Sequence, residues 1–234
     1  KLWDEGRSHP IDADAPPNPD RRRLFAFGAA ALWIGAGVGY LVLEATAAVG
    51  FRTHYSYARN YISDLGVTSA GMLHGRMVES PLAHLMNAAF YLQGISFLAG
   101  AVLMVCALGR RKSGLFLALA ATNAVGNVLV GTIHSGHGAD GIAWLHAVGA
   151  VLAITGGNIA IAAGSALLRD AGASQRYRAV SLGIAGVGLL GFTIFAVDST
   201  IAGSGVLPNG VSERAAVYSI IAWQMLTAGY LIRR

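Results

Sequence analysis

Six long apolar runs, separated by polar stretches, dominate the hydrophobic pattern of this chain. A helix needs about 20 predominantly apolar residues to cross the hydrocarbon core of a bilayer, and each run has roughly that length or more. The pattern therefore predicts an all-α polytopic membrane protein with six transmembrane helices. The runs cover residues 24–49, 82–108, 115–133, 142–168, 179–197 and 215–232.

A weak internal repeat indicates how these helices are paired. An acid stands close to the start of each even-numbered run and a ring side chain follows it, as in Glu79 and His84, or Asp140 and His146. Such a repeat favours three similar helical hairpins around a common axis.

The composition supports insertion into a membrane. Hydrophobic residues make up 54% of the 234 residues and charged residues only 12%, whereas soluble domains average about 25% charged residues. The length leaves little room beyond six spans, so we predict one transmembrane domain, residues 21–234. The polar, proline-containing residues 1–20 are expected to form a flexible cytoplasmic tail. A single cysteine, Cys106, excludes an intramolecular disulfide.

Basic residues indicate the orientation. Clusters at residues 21–23, 110–112, 169–178 and 233–234 all flank the predicted spans on one side of the membrane. Positively charged loops stay in the cytoplasm, so both termini are predicted to be cytoplasmic, in a multi-pass protein of the cell (inner or plasma) membrane. Since these arginines account for the net charge of +5, we exclude nucleic acid as a partner. We expect membrane lipids, or other membrane subunits, as partners instead.

The longest polar stretch between two spans, residues 51–81, follows the first span on the outer side and is called the outer segment below. Arg214, near the start of the last span, is a cation at the positive end of a helix dipole and needs a carboxylate partner. We expect this partner to be Asp64, which lies in a tight turn. The sequence thus predicts a structured lid held by an ion pair between Asp64 and Arg214, with Tyr57 and Tyr61 at the headgroup level.

Polar side chains within the spans are expected to face the interior of the bundle. His84 and Asn87 share one helical face, and so do Asn123 and Asn127. Together with polar residues of the outer loops they predict an outward-facing polar pocket. Its predicted residues are Tyr57, Asn60, Ser63, Asp64, His84, Asn87, Asn127, His146, Glu213 and Arg214.

Histidines near the third and fourth spans suggest a metal site. Two imidazoles, a carboxylate and a further imidazole close by would give zinc three protein ligands and leave a position for water, as in catalytic zinc sites. Asp64 would be the candidate general base, and the substrate a lipid headgroup or another molecule at the outer leaflet. The predicted ligands are His134, His137, Asp140 and His146.

A b-type haem is a second possible cofactor. His84 and His146 each lie about one turn inside an even-numbered span on the same side of the membrane. Axial bis-histidine ligation needs two imidazoles that face each other across a bundle, and these positions are compatible with that arrangement.

Several short runs resemble a known family. The Ile-Ser-Asp-Leu-Gly run at residues 62–66, His146 near the start of the fourth span, and the Gly-Val-Ser-Glu-Arg run at residues 210–214 leading to Trp223 resemble the bacterial membrane family named domain of unknown function 998. The resemblance covers residues 24–232. It implies a six-helix integral membrane protein and supplies no activity.

Three functions therefore stay open, and the sequence does not decide whether the protein is an enzyme. We favour a non-catalytic module whose outward-facing pocket binds a lipid headgroup or another small ligand, or which acts as a subunit of a membrane complex. The alternatives are a zinc-dependent hydrolase at the outer leaflet and a b-type haem protein.

Overall fold

The computed structural model describes residues 19–73, 75–109, 112–136, 141–201 and 205–234. All six of its α-helices are long and apolar enough to cross a membrane, so the chain is an all-α multi-pass membrane protein, as predicted. Most of the predicted tail, residues 1–18, lies outside the described residues. The helices are α1 (Pro19–Val49), α2 (Ala83–Leu108), α3 (Gly114–Thr132), α4 (Ala143–Asp170), α5 (Gln175–Thr200) and α6 (Asn209–Ile232).

The helices form a closed bundle. Each helix packs against the next one along the chain, α6 packs against α1, and α4 also contacts α6. Apart from the outer segment between α1 and α2, the connections are short, so consecutive helices run antiparallel in the hairpin arrangement expected from the sequence.

Glycines set the closest approaches between helices. A Cβ atom on Gly126 of α3 would lie 2.2 Å from the backbone nitrogen of Ala153, so the backbones of α3 and α4 touch at this point. In α1, Gly39 lies against the side chain of Leu92, whereas nothing lies within 4 Å of the Cβ position of Gly35. Only one of these two α1 glycines therefore makes a close contact within the bundle.

An aromatic cluster fills the half of the bundle away from the outer segment. Trp223 of α6 is fully buried, and its ring centroid lies 5.5 Å from that of Trp33 and 6.2 Å from that of Phe116. Its indole nitrogen donates to Ser181 Oγ at 3.2 Å, so the polar edge of the ring is satisfied. The interior of this half of the bundle is therefore filled with side chains.

The outer segment is folded, as the sequence predicts. It contains a 3₁₀ turn (Ser63–Gly66) and an antiparallel pair of short strands, β1 (Gly71–Leu73) and β2 (Arg76–Val78). The side chains of Ile62 and Leu65 are buried against the outer half of the helices. The segment therefore has its own apolar face and covers the outer end of the bundle.

The sequence placed the start of the last helix too late. Helix α6 begins at Asn209 rather than at residue 215, directly after Pro208, a residue whose fixed φ suits the first turn of a helix. In its first two turns the polar residues Ser212, Glu213 and Arg214 are buried, whereas Val211 is exposed. Glu213 and Arg214 consequently lie inside the helix.

Basic residues of α1 and of the end of the chain after α6 meet at one end of the bundle. Arg22 of α1, Leu108 of α2 and Arg233 after α6 line one groove, so these helix ends lie together, opposite the outer segment. Excess Arg and Lys marks the cytoplasmic side, so we expect the outer segment to face away from the cytoplasm.

Cysteine labelling in intact cells checks this orientation. In a Cys106→Ala background, which removes the exposed native thiol, Lys112→Cys should be protected from an impermeant maleimide and Ser69→Cys should react. The reverse pattern would show that the basic end faces outward.

Candidate functional site

A small cavity lies between the outer segment and helices α1, α2, α3, α4 and α6. The volume in which the centre of a water-sized molecule fits is about 50 Å³. This is enough for a few waters or one small molecule. The polar part of its wall consists of Tyr40, Ser63, Gln93, Asn123, Asn127, His146 and Glu213.

Glu213 is the acidic member of this wall. One carboxylate oxygen accepts the backbone N–H of Ile62 at 2.5 Å, and the residue is only 8% exposed. In the part of the chain that the structure describes, Glu213 forms no ion pair, since Arg214 next to it is paired with Glu44 instead. A buried carboxyl group without a cation is costly to ionise, so it either keeps its proton or takes a cationic partner.

Three further wall residues carry oxygen atoms without a partner. The amide of Asn123 donates to the carbonyl of Ala153 at 2.6 Å, which fixes its orientation and leaves Oδ1 buried and unpaired. Gln93 donates to Gln224 at 2.6 Å, so its own Oε1 is unpaired, as is the hydroxyl of Tyr40. Buried polar atoms normally have partners, so the two amide oxygens can each accept a hydrogen bond from a ligand and the Tyr40 hydroxyl can accept or donate one.

The imidazole of His146 adds another acceptor. Its Nδ1 lies 2.7 Å from the carbonyl oxygen of Ile133, and because a carbonyl only accepts, Nδ1 carries the hydrogen. In the neutral ring Nε2 is then an acceptor. The wall therefore combines one carboxylate with several neutral acceptors.

Arg214 points about 100° away from Glu213 around the axis of α6 and holds the outer segment in place. Its guanidinium donates to Glu44 Oε1 at 2.9 Å and to the carbonyl oxygens of Tyr57 at 2.6 Å and Asn60 at 3.1 Å. A Cβ atom on Gly210 would lie 2.5 Å from both carbonyl oxygens, so a glycine is needed for this close approach. The outer segment is thus attached to α6 mainly through its backbone.

The predicted ion pair between Asp64 and Arg214 is wrong. Asp64 pairs with Arg76 at 3.1 Å and accepts hydrogen bonds from Asn60 and from the backbone N–H of Tyr61. The strand pair brings Arg76 back over the turn that carries Asp64, and the ion pair and both hydrogen bonds are made to Oδ2 of the carboxylate within the outer segment. Asp64 therefore folds the outer segment and does not line the cavity, which removes it from the position of a general base there.

Two tyrosines complete the attachment. Tyr55 accepts a hydrogen bond from Arg214 at 2.5 Å and donates to the carbonyl of Tyr61 at 2.9 Å. Burial raises the pKa of the Tyr55 hydroxyl, and burial also raises the pKa of Tyr57, so both stay neutral over the physiological range. The ring of Tyr57 lies 4.7 Å from the guanidinium carbon of Arg214, a cation–π contact.

The predicted pocket residues thus separate into groups. Ser63, Asn127, His146 and Glu213 line the cavity. Tyr57, Asn60, Asp64, Asn87 and Arg214 hold the outer segment, with Asn87 donating to the carbonyl of Gly66 at 3.0 Å. His84 is exposed on α2.

The predicted zinc site stays a prediction. His137 and Asp140 lie outside the described residues, while His134 contacts the hydroxyl of Thr68 at 2.7 Å and His146 contacts Ile133. Within the described ranges, no group of three His, Cys, Asp or Glu side chains could hold a metal ion. The haem hypothesis gains no support, because His84 is exposed and does not share the cavity with His146.

Sequence reasoning missed Glu44 as a site residue. It lies inside the first apolar run, is 1% exposed, and binds both Arg214 and the hydroxyl of Tyr218. An ionisable residue within a membrane span usually has a function, and that rule alone would have found it. Gln93 and Asn123 were recognisable as inward-facing polar residues, but nothing in the sequence places them around one cavity.

Comparison with known proteins gives a family and nothing finer. A family model described as "Protein of unknown function (DUF998)" matches residues 33–230, in agreement with the resemblance carried by residues 62–66. No curated protein and no solved structure matches the chain.

Proposed function

The chain belongs to the DUF998 family, and we propose that this member binds a small molecule bearing an ammonium group in the cavity beneath its outer segment. In this proposal the protein is a binding module rather than an enzyme. Two neighbouring residues of α6 have different roles. Glu213 binds the ligand, and Arg214 holds the outer segment that covers it.

The observation that carries this proposal is the buried carboxyl group of Glu213, which lines the cavity without an ion pair among the described residues. An ammonium group supplies what this wall lacks, a positive charge together with up to three N–H donors. Asn123 Oδ1 and the Tyr40 hydroxyl, both buried and unpaired, can accept the remaining hydrogens. Among the described residues that line the cavity there is no Arg or Lys to compete for the carboxylate.

The rest of the wall favours an organic cation over a bare metal ion. Phe90, Val130, Ile154, Val217 and Ile220 also line the cavity and suit methylene groups. The small volume limits the ligand to a few non-hydrogen atoms. With at best about 1.5 kcal/mol per such atom, a ligand the size of ethanolamine binds with at most about 6 kcal/mol, a Kd of about 40 µM or weaker.

An ethanolamine-sized ammonium group can come from a free amine or from the headgroup of a phospholipid. Both offer the same chemistry to Glu213. The experiment below separates them by the lipid that surrounds the protein.

Calorimetric titration of ethanolamine into the purified full chain tests the proposal. In nanodiscs of phosphatidylglycerol we expect saturable binding of ethanolamine and none of ethylene glycol, which has a hydroxyl in place of the ammonium group. Absence of ethanolamine binding, or equal binding of both compounds, would refute the ammonium proposal. If the natural ligand is the lipid headgroup, nanodiscs containing phosphatidylethanolamine should weaken the binding of free ethanolamine, whereas unchanged affinity indicates a free amine.

A further inference from the structure

A second cavity, unrelated to the first, lies at the basic end of the bundle. This groove is formed by the start of α1, the last turn of α2 and the end of α6. The volume in which the centre of a water-sized molecule fits is about 460 Å³. Its polar lining consists of Arg22, Arg23, Arg233 and Arg234. Among the residues that the structure describes, no Asp or Glu side chain lines this groove, whereas four arginines do.

Arg22 occupies a special place in this groove. Its guanidinium lies against the last turn of α2, where a Cβ atom on Gly109 would be 3.0 Å from one guanidinium nitrogen. The Nε atom of Arg22 is buried and has no hydrogen-bond partner within the described part of the chain. A buried guanidinium nitrogen without an acceptor favours an anionic oxygen as its missing partner.

The apolar side of the groove faces the membrane. Phe27 and Ile232 both line it, and they are 54% and 46% exposed. The groove therefore joins a cluster of arginines, at the level of the helix ends, to an apolar surface that continues along α1 and α6. A free phosphate uses only the first of these features, whereas a phospholipid uses both.

We infer that this groove binds the headgroup of an anionic phospholipid of the cytoplasmic leaflet. The guanidinium groups of Arg22 and Arg233 bind the phosphate oxygens, and the acyl chains run along Phe27 and Ile232. Arg234 is anchored by a hydrogen bond to the carbonyl oxygen of Ala171 at 2.9 Å, which fixes the far side of the groove. Convergence of arginines from both ends of the described chain on one groove goes beyond what orientation in the membrane requires.

Native mass spectrometry of the full chain with defined lipids tests this site. We expect phosphatidylglycerol to be retained in preference to phosphatidylcholine, and the double variant Arg22→Gln/Arg233→Gln to bind it about 30-fold more weakly. The matched control, Arg52→Gln/Arg59→Gln, removes the same charge from the outer segment and should bind phosphatidylglycerol like the wild type.

Three outcomes would overturn the inference. They are equal retention of the two lipids, equal losses in the two double variants, and binding of glycerol 1-phosphate as tight as that of phosphatidylglycerol, which would indicate a site for free anions. Should the inner double variant fail to insert, Arg22→Lys/Arg233→Lys keeps the charge but loses the planar fork. It should insert normally and still bind phosphatidylglycerol more weakly than the wild type does.

Discussion

Replacement of Arg214 by glutamine is expected to lower the free energy of unfolding by about 3–5 kcal/mol. The change removes the ion pair at 2.9 Å with Glu44 and leaves that carboxylate buried, with a hydrogen bond from the hydroxyl of Tyr218 in place of a cation. It also removes the donors to Tyr57 and Asn60 that hold the outer segment on α6. Equilibrium unfolding in mixed micelles measures the loss.

Two further variants separate this effect from a general loss of charge. The pair between Arg52 and Glu79 has a similar distance, 2.7 Å, but its side chains are 67% and 33% exposed, so Arg52→Gln should cost less than about 1 kcal/mol. The double variant Glu44→Gln/Arg214→Gln should be more stable than Arg214→Gln alone, because no buried charge is left without a partner. Equal losses for Arg52→Gln and Arg214→Gln would contradict the role of Arg214.

Replacement of Glu213 by glutamine is expected to weaken ligand binding without lowering the stability of the protein. Loss of the charged partner in a buried ammonium–carboxylate contact costs about 2 kcal/mol or more, so ethanolamine should bind at least about 30-fold more weakly. The glutamine can still accept the N–H of Ile62, and it removes a buried charge. The ligand-free variant should therefore be at least as stable as the wild type.

Calorimetry and thermal unfolding of the same preparations check both halves of this prediction. Glu79→Gln is the matched control, since Glu79 is an outer carboxylate that does not line the cavity, and it should leave binding unchanged. A loss of binding accompanied by a loss of stability in Glu213→Gln would show that Glu213 has a structural role instead.

The helices were predictable because the apolar runs are long and few polar residues interrupt them. The start of α6 was not predictable in this way, because Glu213 and Arg214 belong to the helix although they interrupt the apolar pattern. The outer segment covers these residues, and a buried polar turn cannot be distinguished from an exposed loop by hydropathy. Burial by a distant part of the chain is a tertiary contact, and the local hydropathy pattern does not show it.

The site was predictable in its members more than in its contacts. Asn127, His146 and Glu213 line one cavity, and their prediction as residues of a ligand pocket stays a prediction. The partner of Arg214 could not be chosen correctly, because that choice depends on how α1 and α6 are rotated about their axes. In the folded bundle Glu44 of α1 lies against Arg214 of α6, while Arg76 of β2 pairs with Asp64.

The most direct test of the central claim is a distance measurement between the ligand nitrogen and the Glu213 carboxylate. Solid-state NMR on protein with ¹³C-labelled glutamate side-chain carboxyls and ¹⁵N-ethanolamine reports this distance by dipolar dephasing. An ammonium–carboxylate contact predicts a carboxyl carbon about 3.5 Å from the nitrogen, with a signal that disappears in Glu213→Gln. No dephasing at saturating ethanolamine, or dephasing that persists in Glu213→Gln, would contradict the account.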